Sequence, residues 1–257
     1  MKNRTLSFAK RNLIEMSRDS LSYIFCVAFP IVMLVIMSVV NASIPKEAGM
    51  TLFRIDNLAG GIVIFGQTFV MLFSALNVSK DRSGSFLIRL FASPMKSKNF
   101  TGGYILPLIV VAIVQAVIAF VASFIVSLVT GTELNVLGLL AGTIAVIPSA
   151  IMFIAIGMIF GTIFNEKAAP GMCSIIISFG AIVGGIWFDV EGVGGFMAKL
   201  GKCLPFLYAT KVARAAIKLD FSFDTFVTPM IVVAGSAAVL TALACMFFGR
   251  KMRADLA

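Results

Sequence analysis

The chain has 257 residues, of which 60% are hydrophobic and 13% charged, and its formal net charge is +9. That balance excludes a soluble domain built around a large core and points to an integral membrane protein. In lipid the backbone must satisfy its own amides, which leaves helical bundles or closed barrels. The runs over residues 25–40 and 106–128 lack the alternation of barrel strands, so the expected fold is an all-α polytopic membrane protein.

In chain order, residues 1–19 read as an interfacial helix. Leu6, Ala9, Leu13 and Met16 recur at helical spacing, with Lys10, Arg11 and Arg18 placed to meet lipid phosphates. Uncharged stretches then occupy 20–45, 57–79, 99–132, 134–165, 168–188 and 225–249. A crossing helix needs roughly 20 mostly apolar residues. Six transmembrane helices are therefore expected, at 21–41, 57–79, 101–129, 136–164, 168–188 and 226–249. Ser17, Asp19 and Ser20 offer N-caps to the first, which is read as retained rather than cleaved, and Pro30 lies within it.

The turns at 130–135 and at Asn165, Glu166 and Lys167 are short, and Pro170 stands where a helix start favours proline. Two connections are long, 80–98 and 189–224. The second is glycine-rich and acidic at first. It then turns helical in pattern, with Lys211, Arg214 and Lys218 on one face and Tyr208, Val212 and Ala216 on another. Short helices dipping into the outer leaflet fit this segment, and so does a helix lying on the surface.

The basic residues sort by position. Lys2, Arg4, Lys10, Arg11, Arg18, Lys80, Arg82, Arg89, Lys96, Lys98, Lys167, Arg250, Lys251 and Arg253 fall on one side of the six spans, two thirds of the 21 in the chain. Lysine and arginine are retained on the cytoplasmic side, so both termini are expected there. The same sorting explains the net charge without nucleic acid as a partner. Cys26, Cys173 and Cys245 lie in expected spans and Cys203 in the outer connection, an arrangement that supports neither a disulfide nor a metal site.

The chain has no histidine, which removes the commonest proton carrier near neutral pH. No charge interrupts the six runs, as it does in many ion-coupled carriers. The nearest approach to a P-loop, from Gly195 to Gly201, Lys202 and Cys203, has five residues between its glycines instead of four, and Cys in place of Ser or Thr. No cofactor or metal is expected on this chain. The neutral polar residues inside the spans are Gln67, Asn77, Gln115, Ser123, Ser127, Thr162, Ser174 and Ser178. Such residues usually bond between helices. Gln67, Asn77, Gln115, Ser174 and Ser178 are also the candidates for lining a translocation path. Gly157 with Gly161, and Gly180 with Gly184, have the spacing of close helix contacts.

The connection at 80–98 resembles the cytoplasmic loop between the second and third spans of type 2 ABC exporter permeases. It carries a charged pair, Asp81 and Arg82, then Gly84, an amphipathic run of Phe86, Leu87, Arg89, Leu90 and Phe91, and a small-residue-proline end at Ala92, Ser93 and Pro94. Phe100 and Gly103 open the next span. The basic leading helix, the six spans and the long fifth connection, with Leu204, Pro205, Tyr208 and Arg214, are similar to the family as well.

The resemblance implies that residues 80–98 form a coupling helix resting on a separate ABC ATP-binding subunit, with Asp81, Arg82, Gly84, Phe86, Leu87, Arg89, Leu90, Phe91 and Pro94 as coupling residues. It implies two copies of that subunit carrying ATP and Mg, and a dimer of this chain or of this chain with a related permease. Re-entrant outer helices between spans five and six would form a gate region around Pro205, Tyr208 and Arg214. The implied activity is export of a hydrophobic or amphipathic substrate such as an antibiotic, antimicrobial peptide or lipid-linked glycan across a bacterial inner membrane. Phe65, Phe69, Phe73, Phe120, Phe124, Phe153 and Phe160 would suit such cargo, and suit lipid equally. Two other readings compete. One is a passive channel with no ATPase partner; the other is a membrane enzyme using Asp189 and Glu191, a pair that helix capping explains more simply.

Overall fold

A computed structural model of the chain describes residues 4–19, 24–45, 49–84 and 97–254. The described residues contain helices and turns but no strand. Among the described residues eleven helices follow one another: α1 Arg4–Ser17, α2 Ile24–Ser43, α3 Ile55–Ser83, α4 Ser97–Thr130, α5 Val136–Ala145, α6 Ile147–Ile163, α7 Ala169–Val183, α8 Val190–Val193, α9 Gly195–Cys203, α10 Pro205–Ile217 and α11 Thr228–Ala254. The α2 helix opens with a π turn, Ile24–Ala28, and α11 is preceded by another, Phe223–Val227. Each stands just before a proline, Pro30 and Pro229, whose missing N–H breaks the regular ladder.

Five stretches are long and apolar enough to cross a membrane: Ile24–Ser43, Ile55–Ser83, Asn99–Thr130, Val136–Ile163 and Phe223–Lys251. The fifth expected span, 168–188, holds only the 15-residue α7. At 1.5 Å per residue that is about 22 Å, short of a hydrocarbon core about 30 Å thick. The chain turns out of α7 at Gly184 and Gly185, the latter with φ +68°, where a side chain would be strained.

The bundle is organised around α3. Its apolar window is 94% buried, against 17% for α2 and 22% for α11, which lie at the periphery. Packed on α3 are α2, α4, α6, α7 and α10. Its closest neighbour is α6, and the reason is local: a Cβ on Gly157 would lie 2.2 Å from the Met71 carbonyl oxygen, and one on Gly161 2.4 Å from that of Ala75. The first glycine pair of the sequence is therefore a backbone contact surface. Ser74 adds a hydrogen bond across it, donating to the Ile154 carbonyl at 2.8 Å.

The α10 helix is not a surface helix. Phe206, Leu207, Ala209, Thr210, Val212, Ala213, Ala216 and Ile217 are buried where it packs on α3, α5 and α11. Of the phenylalanines considered for lipid or cargo, Phe65, Phe69, Phe73, Phe120 and Phe153 are buried inside the chain. The α1 helix buries Phe8, Ala9, Asn12 and Met16 against the bundle and leaves Leu6 62% exposed. Its packed face is thus rotated from the one the spacing suggested. Arg11 points at protein carboxylates, where lipid phosphate was expected.

Candidate functional site

Two helix docks, one at each end of α3, gather the ion pairs found among the described residues. At the first, α1 lies against α4. Pro107 interrupts α4, and with no N–H to give it leaves the Gly103 carbonyl free. Asn12 of α1 fills that vacancy, its Nδ2 donating to the Gly103 oxygen at 3.1 Å. Gly103 also has no side chain to block Phe8; a Cβ there would sit 2.2 Å from the Phe8 ring. Phe8 packs edge-on against Phe100 and Tyr104, and both of those rings also meet Phe248 of α11.

Asp81, near the end of α3, is the electrostatic centre of this dock. Its carboxylate accepts from the Tyr104 hydroxyl at 2.7 Å and from Arg11 at 3.1 Å. Arg11 also pairs with Glu15 at 2.6 Å, and Lys80 reaches the same glutamate at 3.7 Å. Asn12, Glu15, Asn77, Lys80 and Asp81 border one small polar niche. A carboxylate that is 10% exposed needs such partners, because burying a charge without them is costly.

Arg82 takes the opposite direction. Its Nη1 donates to the carbonyls of Gly161 at 2.9 Å, of Thr162, and of Phe164 at 3.4 Å. These are the last, otherwise unpartnered acceptors of α6, and a cation there also meets the negative end of the helix dipole. Ser83 continues the link, donating to Glu166 at 3.2 Å. Two successive residues of α3 thus tie it to α1 and α4 on one side and to α6 on the other. Gly84 ends the helix in extended conformation, φ −86° and ψ 156°. Phe86, Leu87, Arg89, Leu90, Phe91 and Pro94 lie outside the described residues.

At the far end, α10 docks on the start of α3. Gly60 and Gly61 make the room: a Cβ on Gly60 would lie 3.0 Å from the Arg214 backbone nitrogen and its Cγ. The Arg214 guanidinium donates through Nε to the Asn57 carbonyl at 3.0 Å and through Nη2 to the Gly185 carbonyl at 2.9 Å. Burial lowers its pKa to about 10, with Asp189 and Asp56 opposing the shift, so it stays charged at neutral pH. Lys218 bonds the Asn57 side chain at 2.6 Å, and Lys211 pairs with Glu191 at 2.7 Å. Asp189 caps α8 by accepting from the Gly192 N–H at 3.0 Å. Both acids of the enzyme reading are therefore engaged in structure. Tyr208 donates to the Lys202 carbonyl at 3.0 Å, and Pro205 opens α10.

The five polar path candidates fall in separate places. Gln67 is fully buried and donates to the Val146 carbonyl at 2.9 Å, while Ser149 donates back to its Oε1 at 2.7 Å. This pair seals the break between α5 and α6, where Pro148 interrupts the expected fourth span. Gln115 is buried over Gly66, both amide atoms without a partner among the described residues. Asn77 belongs to the niche beside Asp81; Ser174 and Ser178 lie exposed on α7, and Ser174 bonds its own helix at Pro170. Ser123, Ser127 and Thr162 likewise donate to carbonyls of their own helices rather than across to neighbours. Sequence reasoning missed Asn12, Phe8, Gly60 and Gly61; the signal for the first pair was Pro107, four residues past a glycine.

Fold and docks define a multi-pass helical membrane protein whose longest buried helix ends in a charged, many-partnered junction. The chain belongs to the ABC-2 transporter family: the profile described as ABC-2 family transporter protein matches residues 42–246. It is accordingly a membrane permease of an ABC transporter, a transport subunit rather than a catalyst. The match takes in both docks except α1 and Phe248. No curated protein matches the sequence.

Proposed function

We propose that this permease is the path-forming subunit of an ATP-driven exporter, moving a hydrophobic or amphipathic substrate while a separate ABC subunit binds and hydrolyses ATP with Mg. In this reading the α1 end faces the cytoplasm, α7 completes a sixth span together with the residues around it, and α8 to α10 form the re-entrant outer segment. Two copies, or one copy and a related permease, enclose the path in a bacterial inner membrane.

The observation that carries the reading is the junction around Asp81 and Arg82. Asp81 and Arg82 stand just before residues 85–96 in sequence, and Phe100, Gly103 and Tyr104, just after them, belong to the same junction. A force applied to that loop from a docked ATPase therefore reaches α1, α4 and α6 together. This is what a coupling element requires. A passive channel needs no such convergence.

The test is co-purification of the tagged chain in mild detergent with its bound proteins, followed by ATP hydrolysis. A P-loop ATPase is expected to co-purify and to be lost in the Phe86→Asp, Leu90→Asp double variant while membrane insertion persists. A chain that purifies alone, without ATPase activity, would place the passive channel first.

A further inference from the structure

Beside the far dock lies a cavity of about 630 Å³. Its wall includes Met50, Phe53, Trp187, Phe188, Asp189 and Arg214. Met50, Phe53, Trp187 and Phe188 give it an apolar side, while Thr51, Asn57, Asp189 and the Arg214 cation make the rest of the lining polar. The cation is unusual in its partners. Both groups that Arg214 bonds, the carbonyls of Asn57 and Gly185, are neutral. Among the described residues no carboxylate lies within ion-pair distance of it. The two nearest acids are already committed: Asp56 pairs with Arg54 and Lys218, and Asp189 caps α8. The Nη1 group has no partner among the described residues.

A largely buried charge bonded directly only to carbonyls, with Asp189 and Asp56 acting on it at longer range, is an incomplete arrangement. Desolvating a guanidinium costs several kcal/mol, which an anion with charge-assisted hydrogen bonds would offset. Arg214 is also locked in place by Gly60, Gly61 and its two carbonyl partners, so an incoming anion orders little new structure.

We propose that this cavity binds an amphipathic anion, a carboxylate or phosphate head at the Arg214 guanidinium with an apolar tail against Phe53, Trp187 and Phe188. The binding does not depend on an ATPase partner and is read on the full chain alone, so its outcome is separate from that of the co-purification.

Trp187 is the sole tryptophan of the chain and sits in the cavity wall, which makes its fluorescence a direct reporter. The full chain in phosphatidylcholine nanodiscs is titrated with dibromostearate, with its uncharged methyl ester, and with dibrominated phosphatidylglycerol, all of which quench tryptophan on contact. Saturable quenching by an acid, absent with the ester, is expected. If only dibromostearate saturates, the site takes a free acid. If phosphatidylglycerol saturates, it takes a lipid headgroup. Arg214→Gln should weaken the saturable phase about tenfold, the value of one lost charge-assisted hydrogen bond.

Because Arg214 also holds α10, a second variant covers the case in which that one fails to fold. Asp189→Asn keeps the helix cap, since asparagine caps as well as aspartate, but removes the one negative charge among the described residues of the wall. It should tighten anion binding about threefold, the scale of one partly screened charge. Equal quenching by acid and ester, or a titration that Asp189→Asn leaves unchanged or weakens, overturns the proposal.

Discussion

At each end of α3 a helix docks over glycine, α1 on Gly103 of α4 and α10 on Gly60 and Gly61 of α3, and the two docks handle charge in opposite ways. At the α1 end Gly103 admits Phe8, and the nearby carboxylate of Asp81 is enclosed by Tyr104 and Arg11. At the far end Gly60 and Gly61 admit Arg214, which bonds directly only to carbonyls and faces an open cavity, with Asp189 and Asp56 beyond ion-pair distance. The first arrangement is closed: its charges answer one another, and what it can transmit is force. The second leaves one charge with no direct ion pair among the described residues, the feature on which the binding proposal rests. Under the two proposals these are the capacities for coupling and for ligand binding, set at opposite ends of one buried helix.

The sharpest way to break the comparison is at Asp81. Replacing it with alanine strips the Tyr104 hydroxyl and the Arg11 guanidinium of their shared acceptor. The expected loss is about 3 kcal/mol, within the range for leaving buried polar partners unpaired. It would be read as a fall in the thermal unfolding temperature of the purified chain. Tyr104→Phe closes a double-mutant cycle: if the junction is cooperative, the two losses will fall well short of additive. Full additivity would mean that Asp81 and Tyr104 act separately and that the α1 end is not one unit.

How much of this was legible beforehand differs between the two regions for physical reasons. The helical class followed from uncharged runs, because lipid permits no other reading of them. Five of the six expected spans contain helices long enough to cross; the fifth in order does not, because Gly184 and Gly185 turn the chain, and a hydropathy pattern carries no information about φ. The pair Asp81 and Arg82 stood out through resemblance, yet their partners did not. Arg82 was expected among the coupling residues; within the described residues it donates to the carbonyl end of α6, an acceptor set that every helix has and no sequence motif marks. Arg214 was visible as a basic residue on a helix face. That Gly60 and Gly61 lie beneath it could not be read, since their separation from it in sequence exceeds anything local periodicity reports. The coupling helix expected over Phe86 to Phe91 lies outside the described residues.

The far dock offers a finer test through its two glycines. Both lie within α3, so alanine should help either one by about 0.5–1 kcal/mol if space alone were no issue. Space separates them. A Cβ on Gly60 meets the Arg214 backbone nitrogen at 3.0 Å and the Ala213 carbonyl carbon at 3.2 Å, neither of which can move without shifting α10. A Cβ on Gly61 comes no closer than 3.5 Å, to Arg214 Nη2 and to Ile186, which is ordinary contact. Gly60→Ala should therefore destabilise by about 2 kcal/mol, as overpacked cores do, and Gly61→Ala should be neutral or mildly stabilising. Thermal unfolding of the two variants side by side decides it. Equal behaviour would mean that α10 is not seated on Gly60.

The smallest effect expected is at the end of α10, and its sign is reversed. Leu219 is the one described non-glycine residue with positive φ, at 56°. It sits there because the chain closes α10 with a paired turn, the Leu219 N–H donating to the Ala216 carbonyl at 3.1 Å and the Asp220 N–H to that of Ala215 at 2.9 Å. That closure calls for a left-handed residue just past the helix, the place where glycine is usual and leucine is strained by about 1–2 kcal/mol. Leu219→Gly removes the strain and adds the entropy of a freer unfolded chain, for a net gain of about 0.5–1 kcal/mol. The unfolding temperature should rise slightly. Since Leu219 is absent from the lining of the cavity, the dibromostearate titration should stay where it was. A variant that is more stable but binds the anion more weakly would show that the strain at Leu219 helps hold Arg214 in its binding position, and the far dock would then be poised as well as open.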